Sequence, residues 1–437
     1  MSVVLTQNNL SQLANDWQDL FERAKCSHVF ISYEWMAEWW HQWEAGHELF
    51  AIAVRDANER LIALAPFCVR IPKNRLAGAR VLAFIGSKYV ASDHLDILVE
   101  PGSEDLAIQE IVRTLLSHRE KYDYIELADC DADSATLAEL RCQLKTAGLS
   151  EDTTSRPERP YALLAPDFDQ FLSTIGASVR YNFRRRLRNF QRAGRVEVIC
   201  LVENSAIRKH FVDLMRLHRM RFDQIGRVSS FRDNQLLEFH TRLLKRMAGR
   251  PWPRLYLLQM DGQTVASLYG FSVGSRFCFY QSGMDPQWSK LSPGLLMIGC
   301  SIEHIIKTGH NEFDFLRGMQ SYKLHWAKHR RKAVTVRFFD GRPKGLGMLL
   351  FLRLRRRAAG IKKGLSRASG RLWQQIIASP KASAVRPLPS THSGCGQTKG
   401  PDKYLALASK MLSGVPGRLA AVLLALNGKL AAPNHRH

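Results

Sequence analysis

The chain lacks the features that would take it out of the ordinary globular class. Its eight cysteines are scattered through 437 residues, with no CxxC pair and no close Cys/His grouping. That argues against a disulfide framework and against a zinc site, and no metal is expected. No apolar run approaches the roughly 20 residues that a membrane-spanning helix needs. The opening stretch, MSVVLTQNNLSQLANDW, has no cationic patch ahead of an apolar core, so no secretory leader is expected and the cytoplasm is the expected compartment. Acidic residues nearly vanish from one region. Between Gly341 and His437, eighteen Lys and Arg face a single acid, Asp402, so this segment holds +17 of the net charge of +23. The first 340 residues carry only +6. The basicity thus belongs to an appendix. It fits a solvated, partly disordered tail, and it also fits peripheral contact of this C-terminal extension with an anionic membrane at its inner face. Nucleic acid is not the expected partner, and the oligomeric state stays open.

What remains suffices for two domains with real cores: 45% of the residues are hydrophobic. The chain also repeats itself once. LFAIAVRDANERLIALAPFCVR from Leu49 and LYLLQMDGQTVASLYGFSV from Leu255 both read as hairpins, the second with the stronger Asp261-Gly262 turn. Further strand candidates follow each. Then come amphipathic helices, DLAIQEIVRTLLSHRE and LLMIGCSIEHIIKTG, and after them short strands of similar wording, at Tyr122–Leu127 and Phe313–Gly318. The pattern predicts an α/β fold of two copies with mixed sheets flanked by helices: residues 1–160, residues 161–340, and a basic extension over 341–437. The division is placed at Pro157–Pro160, where RPERP is expected to break helix and strand. Leading helices are expected in both copies. One carries Trp35, Trp39 and Trp43 behind a Ser32 N-cap, a stripe read as core packing. The other runs from about Ser178 to Ala193 with Val179, Phe183, Leu187 and Phe190 on one face and Arg180, Arg184, Arg188 and Arg192 on another.

One loop of the second copy has the physical properties of an anion site. Between a strand ending near Gly283 and a helix opening at Gly294–Leu295 lies Ser289-Lys290-Leu291-Ser292-Pro293. The first turn of a helix leaves N–H groups unpaired and partly positive, so a pyrophosphate can dock there. Pro293 suits a helix start, and Gly294 lets a ligand approach the backbone. The first copy offers Glu100, Glu104 and Asp105 at the same station, and three carboxylates would repel pyrophosphate. Ser289, Lys290, Ser292, Gly294 and Leu295 are therefore the expected cofactor-binding residues. Asp314 alternates with Phe313 and Phe315 and faces away from them. It is a candidate base or acceptor holder, or a buried carboxylate bonded to backbone like its twin Asp123. Arg317 and Lys323 are candidates for holding an anionic substrate. Asp93, His94 and Asp96 form a polar cluster that either borders an acceptor cleft or is an ordinary polar loop. His218, His304 and His325 are not assigned to the site.

The segment Ser282–Ala327, with its SPGLL turn and FDFLRG…YK…W run, resembles the GNAT-superfamily acetyltransferases associated with bacterial cellulose and exopolysaccharide synthesis, the CelD-like group. FISYEWMAEWWHQW and YNFRRRLRNFQRAG look like the same group, so the resemblance spans about residues 28 to 338. It implies a tandem GNAT fold and transfer of an acyl group from acetyl-CoA or another acyl-CoA. The acceptor implied is a small molecule or glycan precursor, offering an amine or hydroxyl of a polysaccharide or envelope precursor. It also implies that Tyr322, just beyond the last strand, is the general acid; a tyrosine packing its ring at the surface is the competing reading. The phosphate loop departs from the usual Gln/Arg-x-x-Gly-x-Gly/Ala pattern, with Gly294 alone resembling its glycines. A more distant similarity runs to Fem-type aminoacyl transferases, which use aminoacyl-tRNA. A non-catalytic scaffold in a polysaccharide-synthesis complex is the third reading.

Overall fold

A computed structural model describes residues 2–4, 10–24, 26, 28–73 and 78–357. The first half contains β1 (Ser2–Val4), α1 (Ala14–Arg23), α2 (Tyr33–Trp43), β2 (His47–Leu49), β3 (Ile52–Arg55), β4 (Leu61–Ala65), β5 (Phe67–Arg70), β6 (Val81–Phe84), β7 (Leu98–Val99), α3 (Glu104–Ser117), β8 (Tyr124–Asp131), α4 (Ala135–Thr146) and β9 (Ser150–Leu163). The second contains α5 (Phe168–Thr174), α6 (Ala177–Ala193), β10 (Val196–Leu201), α7 (Asn204–Gln224), α8 (Asn234–Arg246), β11 (Pro253–Met260), β12 (Gln263–Val273), β13 (Arg276–Met284), α9 (Pro293–Lys307), β14 (Glu312–Asp314), α10 (Ser321–Leu324) and β15 (His329–Phe339). A helix over 343–357 follows.

Local sequence explains the elements that carry the repeat. Asp261 and Gly262 both adopt positive φ, as a two-residue hairpin turn requires, and join β11 to β12. Ser32 caps α2 by accepting the Trp35 N–H at 3.3 Å. Phe183 and Phe190 on α6 are buried while Arg184, Arg185, Arg188 and Arg192 face outward. A side chain at Gly299 of α9 would run into the Phe183 ring, so this glycine sets how closely α6 packs on α9.

The two copies are joined by one continuous mixed sheet of eleven strands, ordered β10-β11-β12-β13-β14-β9-β15-β8-β6-β5-β2, and the described residues lie in one compact unit. Strands are exchanged at the seam. β9, from the first half, pairs with β14 of the second, and β15, from the second, pairs with β8 of the first. The RPERP stretch therefore does not interrupt the chain as a break. It lies inside β9, with Pro157 at the register shift between Arg331 and Ala333 of β15. Pro160 uses its carbonyl, which accepts the Phe315 N–H at 3.0 Å. In the first copy each arm of the hairpin is split, β2 from β3 and β4 from β5 at Pro66, so that β1-β3-β4-β7 form a separate small sheet.

The cores cross the seam as well. Trp35 sits edge-on to Phe239, Phe271 and Tyr280 of the second half, with centroids 5.1 to 5.7 Å apart. Glu34 and Glu38 of α2 pair with Arg250 and Arg246. The extension begins as part of this body: Leu349 is buried against Val81, Tyr124 and Phe339, and Arg342 donates to the Tyr122 carbonyl. Leu346, Leu350, Phe351 and Leu354 of the same helix are exposed. A second stretch of the extension that mixes apolar residues with lysine in a helix-like pattern, Tyr404–Leu412, lies outside the described residues.

Candidate active site

β13 and β14 run parallel and pair only over three residues, ending at Cys278 opposite Asp314. Beyond that point they diverge. Phe279, Tyr280, Gln281 and Ser282 on one side, and Phe315, Leu316 and Arg317 on the other, line a cleft of about 280 Å³. Arg221, Phe222, Ile225 and Arg227 close one wall and Tyr322 another. A strand that loses its neighbour leaves backbone groups without a ladder partner, so the β13 edge can hydrogen-bond a ligand's amides or carbonyl. The opposite wall is fixed by internal bonds. The Leu316 N–H goes to the Asp314 carboxylate at 2.7 Å and the Arg317 N–H to Asp93 at 2.8 Å. Lys323 Nζ donates to the carbonyls of Phe315 at 2.6 Å and Arg317 at 2.8 Å. Burial lowers the Lys323 ammonium to about 8, against the opposing pull of Asp93 and Asp314.

The sequence-predicted residues are therefore divided by the fold. Tyr322, Arg317 and Lys323 all line the cleft. The Arg221 guanidinium lies over the Tyr322 ring, 5.7 Å from its centroid, and burial holds the phenol above its ordinary value, hence protonated. Arg317 is engaged by Asp93 and Asp129. Asp314 is not in the cleft: it is fully buried, bonded to His94 at 2.9 Å and to the Leu316 N–H, with Arg331 at 3.5 Å. Burial would raise its carboxyl, but His94 and the neighbouring arginines outweigh that and hold it at about 2. A carboxylate so stabilised and so enclosed is a poor proton acceptor. The base reading gives way to that of a buried positioning carboxylate.

The predicted anion loop lies next to this cleft. Ser292 takes a left-handed conformation at the start of α9, and its hydroxyl accepts a bond from Arg186 of α6. Ser289 and Lys290 are exposed, and Leu295 is half-buried. At Gly294, a Cβ would come within 3.1 Å of Met284 Sδ and 4.0 Å of Arg221. The loop thus stands between two arginines, Arg186 and Arg221, that the sequence reading did not assign to it. At the equivalent point of the first copy, the Glu104 carboxylate already accepts the Gly102 N–H, and Glu100 is paired with Arg23 and Arg60. That start is occupied by its own carboxylates.

A buried ionic network ties the cleft to the first copy. His94 bridges Asp131 at 2.8 Å and Asp314 at 2.9 Å. Burial would lower this imidazole, but the two carboxylates prevail and lift it to about 9. Arg159, also fully buried, donates to Asp93, to Asp131 and to the Asp129 carbonyl. Asp96 lies apart from the cleft, bonded to Ser134 and raised to about 6 by burial. Among the described residues, no group of three or more His, Cys, Asp or Glu is arranged to hold a metal ion.

Residues 177–324 match the family model described as an acetyltransferase (GNAT) domain. The match begins at α6 and ends in α10, so it contains the α9 loop, Tyr322 and all of the cleft's lining except Ala91 and Asp93. The match supports a GNAT-type acyl-transfer role for this part of the chain. Among solved structures, the chain resembles FemX with a TM-score of 0.54 at 12% identity, over 73% of this chain and 95% of that one. This likeness concerns the fold. The C-terminal domain of a protein described as a putative lysylphosphatidylglycerol synthetase from Agrobacterium fabrum gives 0.47 at 11% identity, over 78% and 96% of the two chains. A tandem GNAT protein from the clavulanic acid biosynthesis pathway gives 0.42 at 11%, over 77% and 97%. No curated protein matches the sequence significantly. No helix among the described residues is long and apolar enough to cross a membrane.

Proposed function

We propose that the protein transfers an acyl group from acyl-CoA, acetyl-CoA in the simplest case, to an amine or hydroxyl of a polysaccharide or envelope precursor. The observation that carries this reading is the cleft between the diverging strands β13 and β14, which opens beside the α9 start and is lined, apart from Ala91 and Asp93, by residues of the GNAT match. A thioester arm laid along the open β13 edge would put its pyrophosphate at the first turn of α9, between Arg186 and Arg221. The acceptor nucleophile attacks the thioester carbonyl and the C–S bond breaks. Tyr322, held neutral, then gives its proton to the departing thiolate, and the proton shed by the acceptor nitrogen or oxygen passes through water to restore the phenol. Asp314 and Lys323 act at one remove, by holding the 315–317 wall that faces the thioester. The acceptor class is suggested by the resemblance to the exopolysaccharide-associated group.

The experiment is release of free CoA thiol from acetyl-CoA in the presence of aminated and hydroxylated sugar nucleotides, with Tyr322→Phe as control. Loss of about 100-fold or more in turnover, with acetyl-CoA binding retained, is expected of a missing general acid. Turnover that is unchanged in this variant removes Tyr322 from the chemistry.

The exposed arginines of α6 beside the α9 loop also fit a larger polyanionic donor such as aminoacyl-tRNA, which keeps the Fem-type reading as the second one. For the extension we propose contact with an anionic membrane surface. Leu346, Leu350, Phe351 and Leu354 are exposed next to Arg353, Arg355 and Arg357, a composition suited to lying in a headgroup layer.

A further inference from the structure

The first copy has a divergence of its own. β6 and β8 run parallel and pair from Val81 opposite Tyr124 to Ala83 opposite Glu126, and then separate. The opening holds a second hollow of about 290 Å³, lined by Arg70, Lys88, Arg156 and Arg317 together with Glu126 and Asp129. Ala91 and Arg317 line both this hollow and the cleft of the second copy. The two cavities therefore adjoin along the Arg317 side chain.

Three properties mark the hollow as a built site. Its wall has four cations against two carboxylates, a surplus suited to a dianion. Among the described residues, two buried polar atoms of its lining have no hydrogen-bond partner, the Ser87 hydroxyl and Arg317 Nε, and Ser87 is only 2% exposed. Buried donors are usually matched, so a water, an ion or a polar group of a ligand is expected beside them. The backbone around it is also held in an unfavourable region: Lys88, Tyr89, Ala91, His94, Asp129 and Leu316 all have positive φ without being glycine. Such conformations are costly and persist where the surroundings impose them, commonly at ligand sites. Here Trp43 stacks on Tyr89 at 5.3 Å, Trp35 Nε1 donates to Ser92, and Tyr280 donates to the Val90 carbonyl. The tryptophan helix thus fixes the loop that carries Lys88. Burial, and then Arg70, bring the Lys88 ammonium below its ordinary value, as expected in a cation-rich recess.

We propose that this hollow is the acceptor site and that it takes a phosphate-bearing acceptor, whose reacting amine or hydroxyl passes Arg317 into the β13–β14 cleft. At about 30 Å³ per water, the space holds roughly ten water-sized groups, more than a phosphate alone requires. The inference rests on the acyl-transfer reading, and its test separates the two. Glucose 1-phosphate, uridine diphosphate glucose, inorganic phosphate and glucose are titrated calorimetrically into the full chain, with and without acetyl-CoA; vesicles containing phosphatidic acid test a lipid phosphate. The expected result is binding of a phosphate ester but not of glucose, weakened tenfold or more in both Lys88→Ala and Arg156→Ala, with acetyl-CoA affinity unchanged. The soluble esters and the vesicles distinguish a nucleotide or sugar phosphate from a lipid-linked one. Phosphate-ester binding unaffected by either variant overturns the assignment. So does its competition by desulfo-CoA, which would put the phosphate in the donor cleft, and so does failure of every phosphate probe to bind. If a phosphate ester binds in a Lys88-dependent way while acetyl-CoA does not bind at all, the donor reading falls and this site stands.

Discussion

Replacing His94 by Asn tests the junction on which both cavities depend. Asparagine tolerates the left-handed conformation that His94 adopts at φ 52°, so the backbone is not the variable. What disappears is a buried cation between Asp131 and Asp314, one carboxylate from each copy. Lifting an imidazole from 6.5 to about 9 corresponds to about 3 kcal/mol of folding free energy, at about 1.4 kcal/mol per pKa unit. The folded value is the higher one. The contribution is therefore complete below about pH 6.5, falls as the pH rises, and is gone above about pH 9. With about 2.1 cal/mol/K per residue over roughly 350 ordered residues, 3 kcal/mol is about 4 °C in Tm. Thermal unfolding followed by tryptophan fluorescence should show His94→Asn about 4 °C or more below wild type at pH 6, the gap narrowing toward pH 9.5. A gap of the same size at both pH values, or no gap at all, would refute the charged bridge.

Other outcomes follow from particular contacts. A chain ended at Arg357 should keep its Tm, whereas one ended at Asp340 exposes the surface that Leu349 covers and should lose about 1.5–3 kcal/mol; equal Tm values would show that helix 343–357 does not pack. Leu350→Glu with Leu354→Glu should leave Tm unchanged and reduce sedimentation with anionic liposomes at low salt, and unaltered sedimentation removes this face from membrane contact. Charge reversal at Arg184, Arg185, Arg188 and Arg192 should leave the fold intact, because Phe183 and Phe190 dock α6. If it abolishes a salt-sensitive, sub-micromolar affinity for tRNA, the Fem-type donor reading takes precedence.

The repeat, the Asp261-Gly262 turn, the Ser32 cap and the two-faced α6 were legible because each depends on residues a few positions apart. The seam was not. Pro157 and Pro160 look like a linker when read alone, yet in β9 one sits at a bulge and the other needs no N–H, so a strand passes through both. Exchange of β9 and β15 between the copies is a matter of long-range register, which no local pattern records. The same holds for the site. The α9 loop and Tyr322 were singled out from spacing and resemblance, and the fold sets them beside one cleft. His94, Asp131 and Arg159, from separate segments of the first half, become one network with Asp314 only through the shared sheet. Period-two alternation correctly turned Asp314 away from its phenylalanines, but it could not say that a histidine 220 positions earlier would meet it. Arg186 and Arg221 likewise gain their meaning from helix packing beside the α9 start.

The donor site is the centre of the account, and calorimetric titration of acetyl-CoA into wild type and Gly294→Glu tests it most directly. A carboxylate at the first turn of α9 would face the incoming pyrophosphate, while its Cβ meets only flexible side chains, Met284 Sδ at 3.1 Å and Arg221 at 4.0 Å. Wild type is expected to bind acetyl-CoA, and the variant, folded and with the same Tm, is expected not to. Equal affinity in the two proteins would contradict this donor site.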